Sequence, residues 1–229
     1  MRRFALGCLP LALLLLVSAS AAPVPKEALI PPMEHLFGKP DVGKDTCTFK
    51  LDGQKLVITV PGTVESPATQ LRGAPRTKKE VTGDFEMEVI VSYKLPDPPM
   101  GAHAGAGLAI WQDDQRFALA NRHHWPAGAT YMGGFDVHYE HPDGARVSHG
   151  AALDAGTGPD QKARLRLRRQ KDIVSTWESR DDGKTWNKLT EAELKLPATV
   201  YAGVVAFNSL KAKMEVTCDS LTITPLGKK

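Results

Sequence analysis

The sequence predicts an all-β fold, two antiparallel sheets packed as a sandwich. Three observations carry this expectation. No long segment repeats its apolar residues at a helical period, and roughly a dozen short β-prone runs are separated by glycine, proline and aspartate. Asp-Gly pairs stand between such runs at Asp52-Gly53 and Asp182-Gly183, where a tight hairpin turn needs positive φ and glycine has no Cβ to oppose it. The run Phe85 to Tyr93 places Phe85, Met87, Val89, Val91 and Tyr93 against Glu86, Glu88 and Ser92, the alternation of a half-buried strand.

Taken in order, the chain opens with Met1-Arg2-Arg3, an apolar run from Leu9 to Val17, and Ala19-Ser20-Ala21. A basic start, a short apolar middle and small residues before a cut make a secretory signal peptide, 1–21, too short to span a bilayer. Cleavage after Ala21 leaves 208 of the 229 residues, one generous β domain. No later run approaches the roughly 20 apolar residues of a membrane span. The charge of the whole chain, +3, falls to 27 basic against 26 acidic residues once Arg2 and Arg3 leave. Export and near-neutrality together disfavour a nucleic-acid partner.

Residues 22–40 are proline-rich and read as a linker or an extended arm, with at most a helical turn at Met33 to Phe37. The domain proper runs over 41–229. Thr46 to Leu51 and Lys55 to Val60 form the first hairpin, and Thr63 to Lys79 is irregular. After the Phe85 strand and a proline loop, Ala104 to Trp111 is small and apolar throughout, which suits a strand buried on both faces. Arg116 to Asn121 follows. Arg122 to Gly158 is the least regular stretch and holds five of the seven histidines, with a strand at Tyr131 to Glu140. Lys162 to Arg169 and the two arms around Asp182-Gly183 make a meander, each arm carrying a tryptophan. Glu191 to Leu196 reads as a short helical or irregular turn, Thr199 to Asn208 as a strand, and Met214 to Thr224 as the last strand. The apolar phase slips near Asp219-Ser220, as a bulge would make it.

Cys47 and Cys218 are the cysteines left after cleavage, each phased toward a core. First and last strands are neighbours in many sandwiches, so a Cys47 to Cys218 disulfide is the preferred pairing. Two buried thiols are the alternative.

Several segments resemble, in order, the concanavalin A-like lectin/glucanase superfamily: Gly83-Asp84-Phe85-Glu86, Ala106 to Asp114, Leu165 to Arg169, Asp181 to Trp186, Tyr201 to Val204 and the closing strand. The nearest resemblance is to the branch related to the regulator-of-enolase protein, common among exported bacterial proteins. It implies a jelly roll of two curved sheets whose concave face is the usual ligand site. Ser179, Asp181, Gly183, Thr185 and Trp186 also match the Asp-box of sialidases, a structural element there. A single copy is no propeller, which needs repeated blades.

Carbohydrate recognition asks for aromatic faces with fixed polar groups around them. Arg122, His123, Trp125, Tyr131, His138 and Tyr139 are the candidate ligand-binding residues, with Trp125 the best exposed; Trp111 and Trp186 suit core packing better. Glycoside hydrolysis instead needs two carboxylates across a cleft. Glu86 with Glu88, or Asp136 with Glu140, shares a strand face, and residues two apart lie about 7 Å apart. Yet the glucanase E-x-D-x-E pattern is absent from Phe85 to Val89. A metal site can be drawn from Asp136, His138 and His123 or His149, and calcium from Asp113 and Asp114, without a recognisable ligand spacing. Arg164, Arg166 and Arg168 present three guanidinium groups on one face, with acids such as Glu178 to neutralise them. The reading that results is an exported monomer that binds glycan or polysaccharide without catalysis. A glycosidase and an interaction domain without a small ligand are the alternatives.

Overall fold

The computed structural model describes residues 32–42, 46–62, 71, 73–94, 104–124, 131–140, 146–154 and 162–227, with the backbone alone at 94, 123–124, 131–140 and 146–154. The signal peptide expected at 1–21, most of the arm and Trp125 lie outside the described residues. One helical turn, α1 (Met33–Leu36), precedes fourteen strands. They are β1 (Lys39–Asp41), β2 (Thr48–Asp52), β3 (Lys55–Val60), β4 (Arg76–Thr82), β5 (Phe85–Lys94), β6 (Ala104–Trp111) and β7 (Phe117–His124). The rest are β8 (Tyr131–Glu140), β9 (Arg146–Asp154), β10 (Ala163–Gln170), β11 (Ile173–Ser179), β12 (Asn187–Glu193), β13 (Thr199–Asn208) and β14 (Met214–Pro225).

These strands make two antiparallel seven-stranded sheets, the first ordered β1-β4-β13-β6-β7-β8-β9 and the second β12-β11-β10-β5-β14-β3-β2. Alternation decides which side of each strand meets the other sheet. Phe85, Met87, Val89 and Val91 of β5 and Leu165 and Leu167 of β10 join Leu108, Ile110, Val204 and Ala206 of the first sheet in one buried core. A second cluster, with Ala109, Trp111, Phe117, Leu119 and Val205 beneath Leu71 and Ala74, lies on the outer face of the first sheet. That is why β6 is buried along its whole length. No helix among the described residues is long and apolar enough to cross a membrane.

The arm is part of the fold. Phe37 is 1 % exposed within the main core, and Met33 and Leu36 pack against the same cluster. β1 then pairs with β4, and the Lys79 ammonium donates to the carbonyls of His35 at 2.7 Å and Leu36 at 3.1 Å. Burial of that ammonium lowers its pKa.

Several elements differ from the sequence reading. β4 occupies the stretch expected to be irregular, and β9 was not expected at all. Leu194 to Leu196 follows β12, a strand where a helical or irregular turn was expected. The Asp182-Gly183 turn has φ of 60° and 88° as expected, but the second arm begins only at Asn187. The Asp181 carboxylate explains this. It accepts hydrogen bonds from the Thr185 hydroxyl at 2.6 Å, the Thr185 amide at 2.8 Å and the Ser179 hydroxyl at 2.8 Å, so the loop winds around one anion and leaves Trp186 outside the strand. The bulge in β14 stands where it was expected, between Asp219 and Thr222, with Ser220 at φ 57°.

The expected disulfide is not formed. Cys47 and Cys218 are both buried thiols, because β3 lies between the strands that carry them. Cys218 faces Leu56 on β3, whereas Cys47 precedes Thr48, the partner of Thr59. Strand spacing and rise put the two Cα atoms roughly 16 Å apart, far beyond the ~7 Å that a disulfide bridges. Burial, with Asp219 beside it, pushes the Cys218 thiol up to about 12.

Two outcomes follow. Titrating the unreduced mature protein with a thiol reagent in denaturant should return both thiols, and a result near zero would show a bond. Phe37→Ala should cost about 3–5 kcal/mol in urea unfolding, whereas an undocked linker would tolerate it without change.

Candidate functional site

The two outer sheet faces are chemically unlike. On the second sheet, β10 and β5 set Arg166 opposite Glu88 and Arg168 opposite Glu86. Arg166 donates to Glu88 at 2.6 Å and lies 3.3 Å from Glu86; Arg168 pairs with Glu86, and Arg164 lies 3.2 Å from Glu88. The guanidinium of Arg166 also stacks 3.9 Å from the Trp186 ring centre, and that of Arg168 5.2 Å from Trp177. Each carboxylate is thus held between two arginines, and the face is a closed ladder of ion pairs and cation–π contacts. Glu178 is not the acid that neutralises the arginines. It is buried on the opposite face, level with Leu165, and meets Arg180 at 3.3 Å.

That geometry separates the carboxylates of the hydrolase alternative. Glu86 and Glu88 point away from the first sheet, and Asp136 and Glu140 belong to β8 of that sheet. With the core between the sheets, no cleft joins the two sets. Asp136 and Glu140 are also four residues apart along β8, about 13 Å between Cα atoms. Asp113 and Asp114 are occupied as well. Asp113 caps its own turn through the amides of Gln115 at 2.9 Å and Arg116 at 2.8 Å, and Asp114 pairs with Arg76 at 3.1 Å. Among the described residues no three histidine, cysteine or acidic side chains converge as a metal site.

The outer face of the first sheet is covered at its centre by Leu71 and Ala74 and opens beside Tyr201. A Cβ at Gly107 would run into the backbone of Ala120 and Asn121, and one at Gly203 into that of Thr77. Both positions alternate with core residues and so look outward, and their missing side chains let the neighbouring backbone approach closely there.

One cross-strand row crosses this face. Glu80 of β4 pairs with Tyr201 of β13, Tyr201 with Trp111 of β6, Trp111 with Phe117 of β7, Phe117 with His138 of β8, and His138 with Ser148 of β9. Trp111 and Tyr201 have ring centres 5.9 Å apart at 42°, the tilted arrangement aromatic pairs favour. Arg76 fixes their surroundings. It donates to the Leu71 carbonyl at 2.6 Å, to Asp41 of β1 at 3.0 Å and to Asp114 at 3.1 Å, with its guanidinium 5.2 Å from the Trp111 ring. The arm, the segment at Leu71 and the β6–β7 turn are thereby tied over Trp111, which is left 3 % exposed. Tyr201 remains half-buried and opens on a shallow cleft of about 250 Å³ with Glu80, Gln112, Thr199 and Val200. A second cleft of about 460 Å³, lined by Glu34, Gly38, Lys39, Lys78, Lys79 and Glu80, shares Glu80 with it.

Of the residues expected to bind ligand, His123 lies on β7 and Tyr131, His138 and Tyr139 on β8, neighbouring strands of this sheet. His138 falls in the row itself, while Tyr131 pairs with His124 and His123 with Met132. Arg122 is different. It is 2 % exposed, in register with Ala106 of the inner face, and its carbonyl accepts a hydrogen bond from Tyr93 at 3.1 Å. Tyr201, Glu80, Lys78 and Gln112 were not expected at a site. Arg76, Lys78 and Glu80 alternating with Thr77, Lys79 and Val81 is the period-two signal that identifies β4.

No protein-family model matches this sequence, and no curated protein matches it. Solved structures do. A functionally unknown protein from Saccharomyces cerevisiae aligns with TM-score 0.65 and 16 % identity over 81 % of this chain and 95 % of that one. A legume lectin-like domain from Entamoeba histolytica aligns with TM-score 0.56 and 11 % identity over 79 % and 88 %. An alginate lyase from Klebsiella pneumoniae aligns with TM-score 0.55 and 11 % identity over 81 % and 87 %. The chain therefore shares the two-sheet jelly-roll fold of these structures, and identities this low show the fold alone.

The hydrogen bonds from Thr185 and Ser179 hold the Asp181 carboxyl at about 2, below its ordinary 3.8. A depressed folded-state value stabilises the fold above the unfolded pKa, and that stability is lost as the pH falls through the folded value. The melting-temperature advantage of wild type over Asp181→Asn should therefore be full at neutral pH and shrink between about pH 4 and 2. A gap constant with pH would contradict this.

Proposed function

We propose that this chain is an exported protein that binds glycan, without catalysis, on the outer face of the first sheet. The observation that carries the reading is the row Glu80, Tyr201, Trp111, Phe117, His138, Ser148. It sets the half-buried ring of Tyr201, backed by buried Trp111 and Phe117, in one line with Glu80 at its margin and with His138, an expected ligand residue. Sugars are bound by such platforms, where C–H faces stack on the ring and fixed polar groups read the hydroxyls. The lectin-like and alginate lyase neighbours support this class of ligand, since both are named for glycans. Against catalysis stand the arginines that engage Glu86 and Glu88 and the distance between Asp136 and Glu140.

His123 of β7 and His138 of β8 stand at outward register positions and extend the site toward β8 in this reading, whereas Tyr131 and Tyr139 alternate with His138 and stand at inward ones. The order of matching segments supports membership of the branch related to the regulator-of-enolase protein, and the basic, apolar and small-residue succession of 1–21 supports export. The protein acts as a monomer.

A glycan array with wild type, Tyr201→Ala and Trp125→Ala is the test. Wild type should bind a defined set of glycans, and Tyr201→Ala should weaken binding at least about tenfold, as loss of an aromatic anchor does, while remaining folded at the temperature of the assay. Wild type that binds no glycan would overturn the reading.

A further inference from the structure

We infer that the second cleft, which adjoins that of Tyr201 through Glu80, takes the carboxylate of an acidic sugar, a hexuronate within a glycan, between Lys39 and Lys78. The inference rests on the glycan-binding reading and names its ligand class. Lys39 of β1 and Lys78 of β4 are direct cross-strand partners, so their side chains leave one sheet face side by side, where like charges destabilise the pair. Among the described residues neither ammonium forms an ion pair with a carboxylate. This is unlike the other facing cations: Arg166 and Arg168 have Glu88 and Glu86 opposite, and Lys55 meets Asp219 at 3.4 Å. An anion between the two lysines removes the repulsion that the bare pair carries.

The neighbours narrow the anion. Lys79 does not contribute, because its ammonium is taken by the carbonyls of His35 and Leu36, which instead anchor the arm that brings Lys39 to the cleft. Glu34 and Glu80 line the same cleft. They accept hydrogen bonds from hydroxyls and repel a densely sulfated polymer, so the fitting ligand carries a single carboxylate per residue and free hydroxyls. The volume, about 460 Å³, lies within the range of ligand pockets.

Lys78 also connects the carboxylate to the aromatic platform. Its ammonium sits 3.6 Å over the Tyr201 ring, a cation–π contact that keeps the charge at the cleft. Its flexible stem lets the ammonium swing to the carboxylate, and the ring face it leaves receives the sugar. Recognition of the acid and stacking of the ring are then one event.

Calorimetry on the full mature chain tests this with oligomers of galacturonate, glucuronate and mannuronate, each against its carboxyl-reduced form, and with dextran sulfate. At least one uronate should bind about tenfold or more tightly than its reduced form, and rising salt should erode the difference. The double variant Lys39→Gln, Lys78→Gln should bind uronate and carboxyl-reduced oligomers with equal affinity, so that the preference disappears. Equal affinity for both forms of every oligomer, a preference that survives in the double variant, or tighter binding of dextran sulfate than of any uronate would each overturn the inference. Glycan binding that depends on Tyr201 but ignores the carboxyl group leaves the glycan reading standing and removes only its acidic ligand. Absence of any glycan binding removes both.

Discussion

The register between β5 and β10 is the constraint on which the sandwich depends. In that pairing Leu165 faces Val89 and Leu167 faces Met87 on the inner side, while Arg166 faces Glu88 and Arg168 faces Glu86 on the outer. A slip of one residue would turn three arginines into the core and the leucines into water. Burial of the apolar set and ion pairing of the charged set therefore select the same alignment. An unpaired buried guanidinium is costly enough that the alternative is not populated.

The same constraint separates the duties of the two sheets. The outer face of the second sheet is satisfied internally by Arg–Glu pairs and by Trp177 and Trp186 under arginines. Exposed ion pairs are individually weak, but as a network they leave no group seeking a partner. The first sheet is not closed in this way. Its glycines let backbones approach closely, Arg76 ties the flanking segments over Trp111, and what remains open is the margin where Tyr201, Lys78, Glu80 and the arm meet. The arm completes the domain, since its Phe37 fills the main core and its Lys39 reaches the open face.

Much of this was legible residue by residue. β5, β6, β8, β13 and the bulge in β14 follow from alternation and from a phase slip, which are local properties. The density of histidine and tyrosine on β8 was visible too, and of those residues His138 falls in the cross-strand row. β4 was hidden because its outward residues are charged and its inward ones include threonine and lysine, so it lacks the apolar signal of a buried strand. Tyr201 was hidden for the opposite reason: inside a long apolar strand it reads as core, and only the tertiary structure leaves its ring at a cleft with Glu80, Gln112 and Thr199.

By itself the sequence determined the class of fold, most of the strands and the parity of each, because a period of two is written into neighbouring residues. It also determined that Glu86 and Glu88 share a face with one another and Arg164, Arg166 and Arg168 with one another. Which face met which was decided by tertiary structure alone. Strand order put β3 between the cysteines and so left two thiols. It placed Glu178 behind the arginines it was expected to neutralise and set Lys39 beside Lys78. Those outcomes depend on pairings between residues far apart in the chain, where no local pattern states the partner.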